Sequence, residues 1–492
     1  MSLNSTILTV FILYFLFILA VGYFTSRGTL SHSDFILGGR KLPGWALAFS
    51  ERATGESAWL LLGYTGFVFA TGLSGIWVAI GIAVGILFAW WVLAKRFMEE
   101  SKATNTLTLP DYLAAKHPEF ANFIRWLATL LIASFFMFYV GAQFAGAGKV
   151  FNTSFDMPVS AGVAITTIVV ILTAFIGGFI SVVWTDMIQS VIMLLTLCVL
   201  PIVALVHIFA NDISISDALV SAGETFPAWF GGLTGFSLSF LFFNNFSWFF
   251  GYLGGQPQLS SRFMALKNEK EANQAIAIGT LWTILAYAGA FTIGLTAIAL
   301  YKQDRFADVE TVLPTMILDL MPPWLAGILL SGIMAAIITT ANSQLLVVTS
   351  SISEDIIHKS LKIRLSDRQL VWVSRITILL CGIIGMVIAL TSESLVYRIV
   401  SWAWAGIGCT LSPAILLTFF WKRYSSVGVM ATILSGFIFT VLWISTPLDS
   451  IITSRFTTFF IAGAFGIVFS LLFPDKQEKE SGSEDLAKTG HL

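Results

Sequence analysis

A chain of 492 residues in which 57% of side chains are hydrophobic and 11% charged departs from soluble proteins, where roughly 25% are charged. Its 27 basic and 28 acidic residues nearly cancel, which leaves no basic field to hold nucleic acid and no acidic tail. The charges sit in short segments between apolar runs of about 20 residues, the length that crosses a bilayer. A soluble enzyme, a nucleic-acid reader and a secreted disulfide scaffold are excluded, and an all-α polytopic membrane protein is predicted. Cys198, Cys381 and Cys409 lie inside apolar runs without metal-ligand spacing and read as packing residues.

The first apolar run, 7–23, has no positive segment before it and no small-residue cleavage site after it, so it is predicted to remain as an uncleaved membrane helix. Further spans are predicted at 43–70, 73–94, 121–148, 158–180, 186–208, 228–256, 273–300, 322–350, 369–391, 396–421, 426–446 and 453–473. That makes about thirteen helices. The polar stretch from Asp475 to Leu492 is predicted to be disordered. An odd span count puts the termini on opposite sides. With the N-terminus outside and the C-terminus cytoplasmic, 20 of the 27 Lys and Arg residues fall in cytoplasmic segments. Lys149, Lys302, Arg305, Arg398 and Arg455 stay outside, while Arg52 and Arg375 fall within spans. Such a bias is what the positive-inside rule requires of a plasma-membrane protein. No Walker loop is present: the nearest segment, Gly146 to Val150, has Val where a magnesium-binding Ser or Thr is needed. With no metal-protease motif or nucleophile elbow either, no enzymatic machinery and no obligate protein partner is evident.

Charge inside a span is costly and marks function by default. The second span carries Ser50-Glu51-Arg52-Ala53-Thr54-Gly55-Glu56-Ser57 between two apolar halves. Polar residues at that depth are compatible with an interrupted helix whose carbonyls line a cavity or hold an ion. They are also compatible with an Arg52–Glu56 pair at i, i+4 that glues helices together. The seventh span repeats the anomaly, from Phe243-Asn244-Asn245 through Trp248 and Tyr252 to Gly254-Gly255-Gln256-Pro257, although glycine packing between helices is the plainer account. An odd offset of five spans inverts the second copy, so spans 2–6 and 7–11 read as two inverted halves. The ninth span adds Thr339, Thr340, Asn342 and Ser343, with Thr339, Asn342 and Ser343 on one face. Such hydroxyls often bond back to their own helix, but with an unwound neighbour they supply the neutral oxygens that sodium needs.

These residues resemble the sodium/solute symporter family, most closely its bacterial sodium/proline branch. The resemblance is carried by Ile36-Leu37-Gly38-Gly39-Arg40, Ser57-Ala58-Trp59, Trp184-Thr185-Asp186, Gly255-Gln256-Pro257 through Arg262-Phe263-Met264, Gly327 to Ser331, Ser353-Glu354-Asp355 and Ala403-Trp404-Ala405-Gly406. It implies a leucine-transporter-like core, with the first inverted repeat at 43–208 and the second at 209–421. The N-terminal helix and first loop (1–42), two C-terminal helices (422–473) and a disordered cytoplasmic tail (474–492) would be additions. The resemblance also implies a sodium site of the Ala53, Glu56 and Ala336 carbonyls with the Thr339 and Thr340 hydroxyls. A second sodium site would use Asp186 with Thr339, Asn342 and Ser343; the competing account of Asp186 is a helix-start carboxylate favoured by the N-terminal dipole. Substrate contacts would come from Trp59, Tyr139, Trp248 and Tyr252, and Gln143 one turn beyond Tyr139 would face the same cavity.

The expected activity is secondary active symport of sodium with proline or another small amino acid. The chain departs from the proline branch at Gly55 and Gly75, where acidic residues are expected, and by one extra glycine after Tyr252. Glu56 is open to three readings: a replacement ion ligand, a proton-titrating group that makes protons the coupling ion, or a partner of Arg52 or of the substrate's amine. A transporter-like sensor, a channel and a symporter of a different solute class compete with the sodium/amino-acid symporter, the sensor disfavoured by the short polar tail.

Overall fold

The computed structural model describes residues 5–26, 32–392 and 394–475. The predicted tail lies, from residue 476 onward, outside them. Among the described residues every regular element is helical, as the apolar runs require: in hydrocarbon only a helix satisfies each backbone group within its own segment.

Helix α1 is Ser5–Ser26. Helix α2, Gly44–Ala58, continues through a π-helical segment, Trp59–Tyr64, into α3, Thr65–Thr71, and then α4, Ile76–Phe88. The helical run from Gly44 to Ala103 is 60 residues long, about 90 Å if straight, against a hydrocarbon core of about 30 Å. Gly72 turns it back. Its φ is 67°, and a Cβ there would lie 2.4 Å from the Phe226 carbonyl oxygen, so only glycine fits. Two predicted spans thus occupy one helical run.

The bundle continues with α5 (Ala121–Phe155), α6 (Val159–Ile176) and α7 (Phe179–Ala210). The predicted span 228–256 is not a continuous helix: short 3₁₀ and π-helical pieces run from Gly235 to Tyr252, before α8, Pro257–Met264. Then come α9 (Glu269–Leu300), α10 (Pro323–Ser350), α11 (Asp367–Thr391), α12 (Val396–Trp404), α13 (Thr410–Phe420), α14 (Ser426–Ile444) and α15 (Ser454–Leu472). Eleven helical runs among the described residues are long and apolar enough to cross a membrane; the Gly44–Ala103 run covers two of the predicted spans, and the segmented stretch is not among the eleven. Starts follow local chemistry. Asn268 accepts from the Glu271 N–H at 3.0 Å to cap α9, and Pro323 opens α10 where its missing N–H costs nothing.

Burial ranks the helices. The most apolar stretch of the run containing α10 is 83% buried, against 28% for α1 and for α15. Helix α10 is therefore the central post, packed against α2, α5 and α7, while α1 and α15 face the surroundings.

Outside the spans, His117 follows the short helix Leu109–Lys116 and is buried, its Nε2 3.0 Å from Thr418 Oγ1 and its ring edge-on to Tyr424. Burial, with Lys116 beside it, pulls the imidazole from its ordinary 6.5 down to about 4. A depressed imidazole gives stability that is present above the unfolded value and lost as pH falls through that window. Melting of the purified protein should therefore lose on the order of 2–3 kcal/mol from this residue between pH 6.5 and 4, and His117→Gln should show a smaller drop over the same range.

Candidate functional site

The site starts from one broken helix. Ser57 in α2 adopts φ 54°, ψ −174°, a region that an L-residue enters at a cost of about 1–3 kcal/mol. In an unbroken helix the Ala58 N–H would bond to the Thr54 carbonyl; here it donates to Gln143 Oε1 at 2.9 Å. The Trp59 N–H turns to Ser57 Oγ at 3.0 Å and to the Glu56 carbonyl. Carbonyls released this way meet α10. Thr340 Oγ1 donates to the Thr54 carbonyl at 3.0 Å, and Thr339 Oγ1 lies 3.2 Å from the Ala53 carbonyl and 3.1 Å from that of Ala336. A set of neutral, fully buried oxygens is thus gathered from two helices. The chemistry of that set fits a monovalent hard cation, because it offers carbonyls and hydroxyls rather than thiols or imidazoles.

Beside it lies a charged cluster without solvent. Arg52 pairs with Glu51 through Nε and Nη2, both at 2.5 Å, and with Glu56 through Nη1 at 2.8 Å. Trp90 Nε1 donates to Glu51 at 2.9 Å, and the Tyr287 hydroxyl donates to Glu56. All three charged side chains are 0–1% exposed. With both carboxylates ionised, the cluster carries one surplus negative charge next to the gathered oxygens.

A second buried pair lies deeper along α2. Arg262 of α8 places Nη2 3.1 Å from Asp186, 2.6 Å from Ser343 and 3.3 Å from Thr54, and Ser50 donates to Asp186 at 2.7 Å. The helix-start reading of Asp186 is corrected here: α7 begins at Phe179, not at 186, which puts Asp186 in its third turn and fully buried. The predicted shared face of α10 also divides. Ser343 points to Arg262, whereas Asn342 Oδ1 accepts from Thr173 of α6 at 3.0 Å. Among the described residues, Arg262 and not Asn342 is the close partner of Asp186.

The predicted aromatic residues converge. Trp59 and Trp248 have ring centroids 4.4 Å apart, and Trp59 stacks on Tyr64 and Tyr397, each at 5.6 Å. Tyr139 donates to Ser57 Oγ at 3.3 Å, and Tyr252 packs on Trp404 at 4.6 Å. Trp59, Tyr139, Trp248 and Tyr252 are each at most 4% exposed, so this aromatic cluster, the candidate pocket, is sealed from solvent by its own rings. Two buried donors on its walls, Trp59 Nε1 and Gln143 Nε2, have no hydrogen-bond partner, and a buried unpaired donor marks a place for a ligand acceptor.

The second interruption positions Trp248 and Tyr252. The 3₁₀ segment Phe246–Tyr252 ends at Gly254, φ 91°, before Pro257 restarts the helix. Gly255 packs backbone to backbone: a Cβ there would lie 2.3 Å from the Gly408 carbonyl oxygen. Sequence reasoning passed over Glu51, Tyr287, Tyr397 and Arg262. Glu51 carried a signal, being a charge inside a predicted span, whereas Arg262 lies between predicted spans; Tyr287 and Tyr397 carried none, because a tyrosine in an apolar helix reads as packing.

Residues 35–436 match the Sodium:solute symporter family. The chain is 35% identical over 434 residues to the high-affinity proline transporter PutP of Bacillus subtilis, covering 88% of this chain and 90% of that one. It is 32% identical over 492 residues to the sodium/proline symporter of Escherichia coli, covering 96% and 94%. Among solved structures, a Na+-coupled sialic acid symporter in a substrate-bound outward-open state superposes with a TM-score of 0.80 at 18% identity, over 96% of this chain and 99% of that one. MhsT in complex with L-phenylalanine gives 0.54 at 15% identity, over 87% and 97%. These two likenesses concern the fold.

The charged cluster makes its own prediction. Arg52→Met strands two buried carboxylates and should cost about 3–5 kcal/mol, read as a lower melting temperature and aggregated material on size exclusion, whereas Glu51→Gln, which keeps one ion pair, should cost less.

Proposed function

We propose, because this chain belongs to the sodium:solute symporter family, that it imports a small amino acid, proline foremost, together with sodium across the plasma membrane. The multi-pass architecture is leucine-transporter-like, and the two interrupted segments fall five predicted spans apart, one in each of the halves at 43–208 and 209–421. Proline as solute is supported by the named activity of the relatives in Bacillus subtilis and Escherichia coli, and by a closed aromatic pocket suited to a compact ring. The placement of Lys and Arg supports an external N-terminus and a cytoplasmic C-terminus.

One observation carries the coupling ion: the oxygens gathered at the Ser57 break lie beside Arg52 and its two carboxylates, Glu51 and Glu56, a cluster with surplus negative charge when both are ionised. Sodium held by the Ala53, Glu56 and Ala336 carbonyls and the Thr339 and Thr340 hydroxyls would neutralise that charge and tie α2 to α10. The same break orients Trp59, so ion and solute favour one arrangement of the bundle, and each raises the other's affinity by the same factor. Inward movement of one positive charge gains roughly 2.3 kcal/mol per 100 mV of inside-negative potential. Glu56, held by Arg52 and Tyr287, is read as the residue coupling the cluster to the break; a proton gradient driving uptake without sodium would make it the titrating group instead. At Asp186 the Arg262 guanidinium, Ser50 and Thr54 all engage Oδ2 while Oδ1 has no hydrogen-bond partner, so a tethered cation stands beside the atoms that a second sodium would use. One sodium per cycle is the reading that follows.

In proteoliposomes, proline uptake should collapse when the sodium gradient is removed at constant potential, and uptake against sodium concentration should follow a Hill coefficient near 1. Thr339→Ala should raise the sodium concentration for half-maximal uptake by about tenfold with little change in the amount of folded protein.

A further inference from the structure

Arg455 is a buried cation in an unfavourable place. It is the second residue of α15, at the end of a helix that carries partial positive charge, and it is 3% exposed. Arg52 and Arg262, also fully buried, each have a carboxylate within 3.1 Å. Among the described residues Arg455 has none within the 4.0 Å of an ion pair. Asp449, the acidic residue nearest it in sequence, is otherwise engaged, accepting from the Ser454 N–H at 2.7 Å and from Trp402 Nε1 at 2.9 Å. The guanidinium instead donates to three neutral oxygens: Ser247 Oγ at 3.2 Å, Ser401 Oγ and the Asn244 carbonyl. Its Cζ sits 4.3 Å from the centroid of Trp248, a wall of the aromatic pocket.

The same arginine lines an open vestibule of about 500 Å³, together with Asn244, Tyr397, Arg398, Ser401, Trp402 and Asp449. The vestibule holds two arginines against one aspartate, Asp449, and its lining residue Tyr397 accepts from Trp248 Nε1 at 3.4 Å. A guanidinium has five N–H donors in a planar fork matched to a carboxylate, and the three contacts found leave donors over. Desolvated, stacked on an aromatic face and without a carboxylate in ion-pair contact, Arg455 has the chemistry of a residue that receives an anion.

We propose that Arg455 forms a carboxylate-capture site in this vestibule, where the carboxylate of a small solute docks before the solute passes between Trp248 and Tyr397 into the closed pocket. The identity of the solute rests on the importer reading above; the site itself rests on Arg455 and its surroundings.

The test uses the full-length chain, purified as wild type, Arg455→Gln and Arg455→Lys. Sodium acetate and sodium chloride at equal concentration serve as probes, read by thermal shift and tryptophan fluorescence. Acetate should stabilise the wild type saturably where chloride does not. Arg455→Gln should weaken that response by about tenfold, and Arg455→Lys, a point charge without the fork, should lose the preference for acetate. In proteoliposomes, Arg455→Gln should raise the KM for proline about tenfold, with kcat little changed. An acetate response that is absent from the wild type, matched by chloride, or intact in Arg455→Gln overturns the proposal. Should Arg455→Gln not fold, a lysine variant with the wild-type acetate preference overturns it equally. Wild-type protein that responds to acetate but moves no proline refutes the importer reading and leaves the site standing.

Discussion

A backbone carbonyl inside hydrocarbon must find a partner, and in this bundle the partner of the Thr54 carbonyl is not its own helix. Ser57 takes a conformation that releases it, Gln143 takes over the Ala58 N–H, and the threonines of α10 meet the freed oxygens. Much of the site hangs on that exchange. The break aims Trp59 at Trp248, brings Tyr139 onto Ser57, and sets Glu56 against Arg52 and Tyr287. An unbroken α2 would bond its carbonyls internally and offer α10 nothing to hold.

Charge is handled by the same logic of partners. Among the described residues three arginines are buried in the bundle, and their surroundings differ in kind. Arg52 is overcompensated by two carboxylates, Arg262 is balanced by Asp186, and Arg455 is surrounded by neutral oxygens and an aromatic face. Two carboxylates against one arginine lie beside the oxygens suited to a cation, and two arginines against one aspartate line the vestibule. Because ions are costly to desolvate, the imbalance at each place sets the sign of the ligand that would relieve it.

The two interruptions use different means to the same end. In α2 a serine is forced into an uncommon conformation and held by hydrogen bonds. In the segment before α8, glycines at 254 and 255 allow the turn and the close packing, and Pro257 restarts the helix. Trp59 and Trp248 therefore meet at 4.4 Å from two broken elements, so motion of either element would open or close the pocket.

The sequence alone determined the helical membrane class, the approximate spans and the position of both interruptions, because hydropathy, Gly and Pro placement and charge at membrane depth act through neighbours along the chain; Trp59, Tyr139, Trp248 and Tyr252 came only through the family resemblance. The sequence also paired Arg52 with Glu56, since i, i+4 spacing is local geometry. Only the tertiary structure decided that Arg262 faces Asp186, 76 residues away, that Asn342 turns to Thr173, that Tyr287 holds Glu56, and that Arg455 lies over Trp248. Those are contacts between helices, fixed by how each helix is rotated and how deep it sits. A rotation about the helix axis changes a residue's partner while leaving its hydropathy pattern the same.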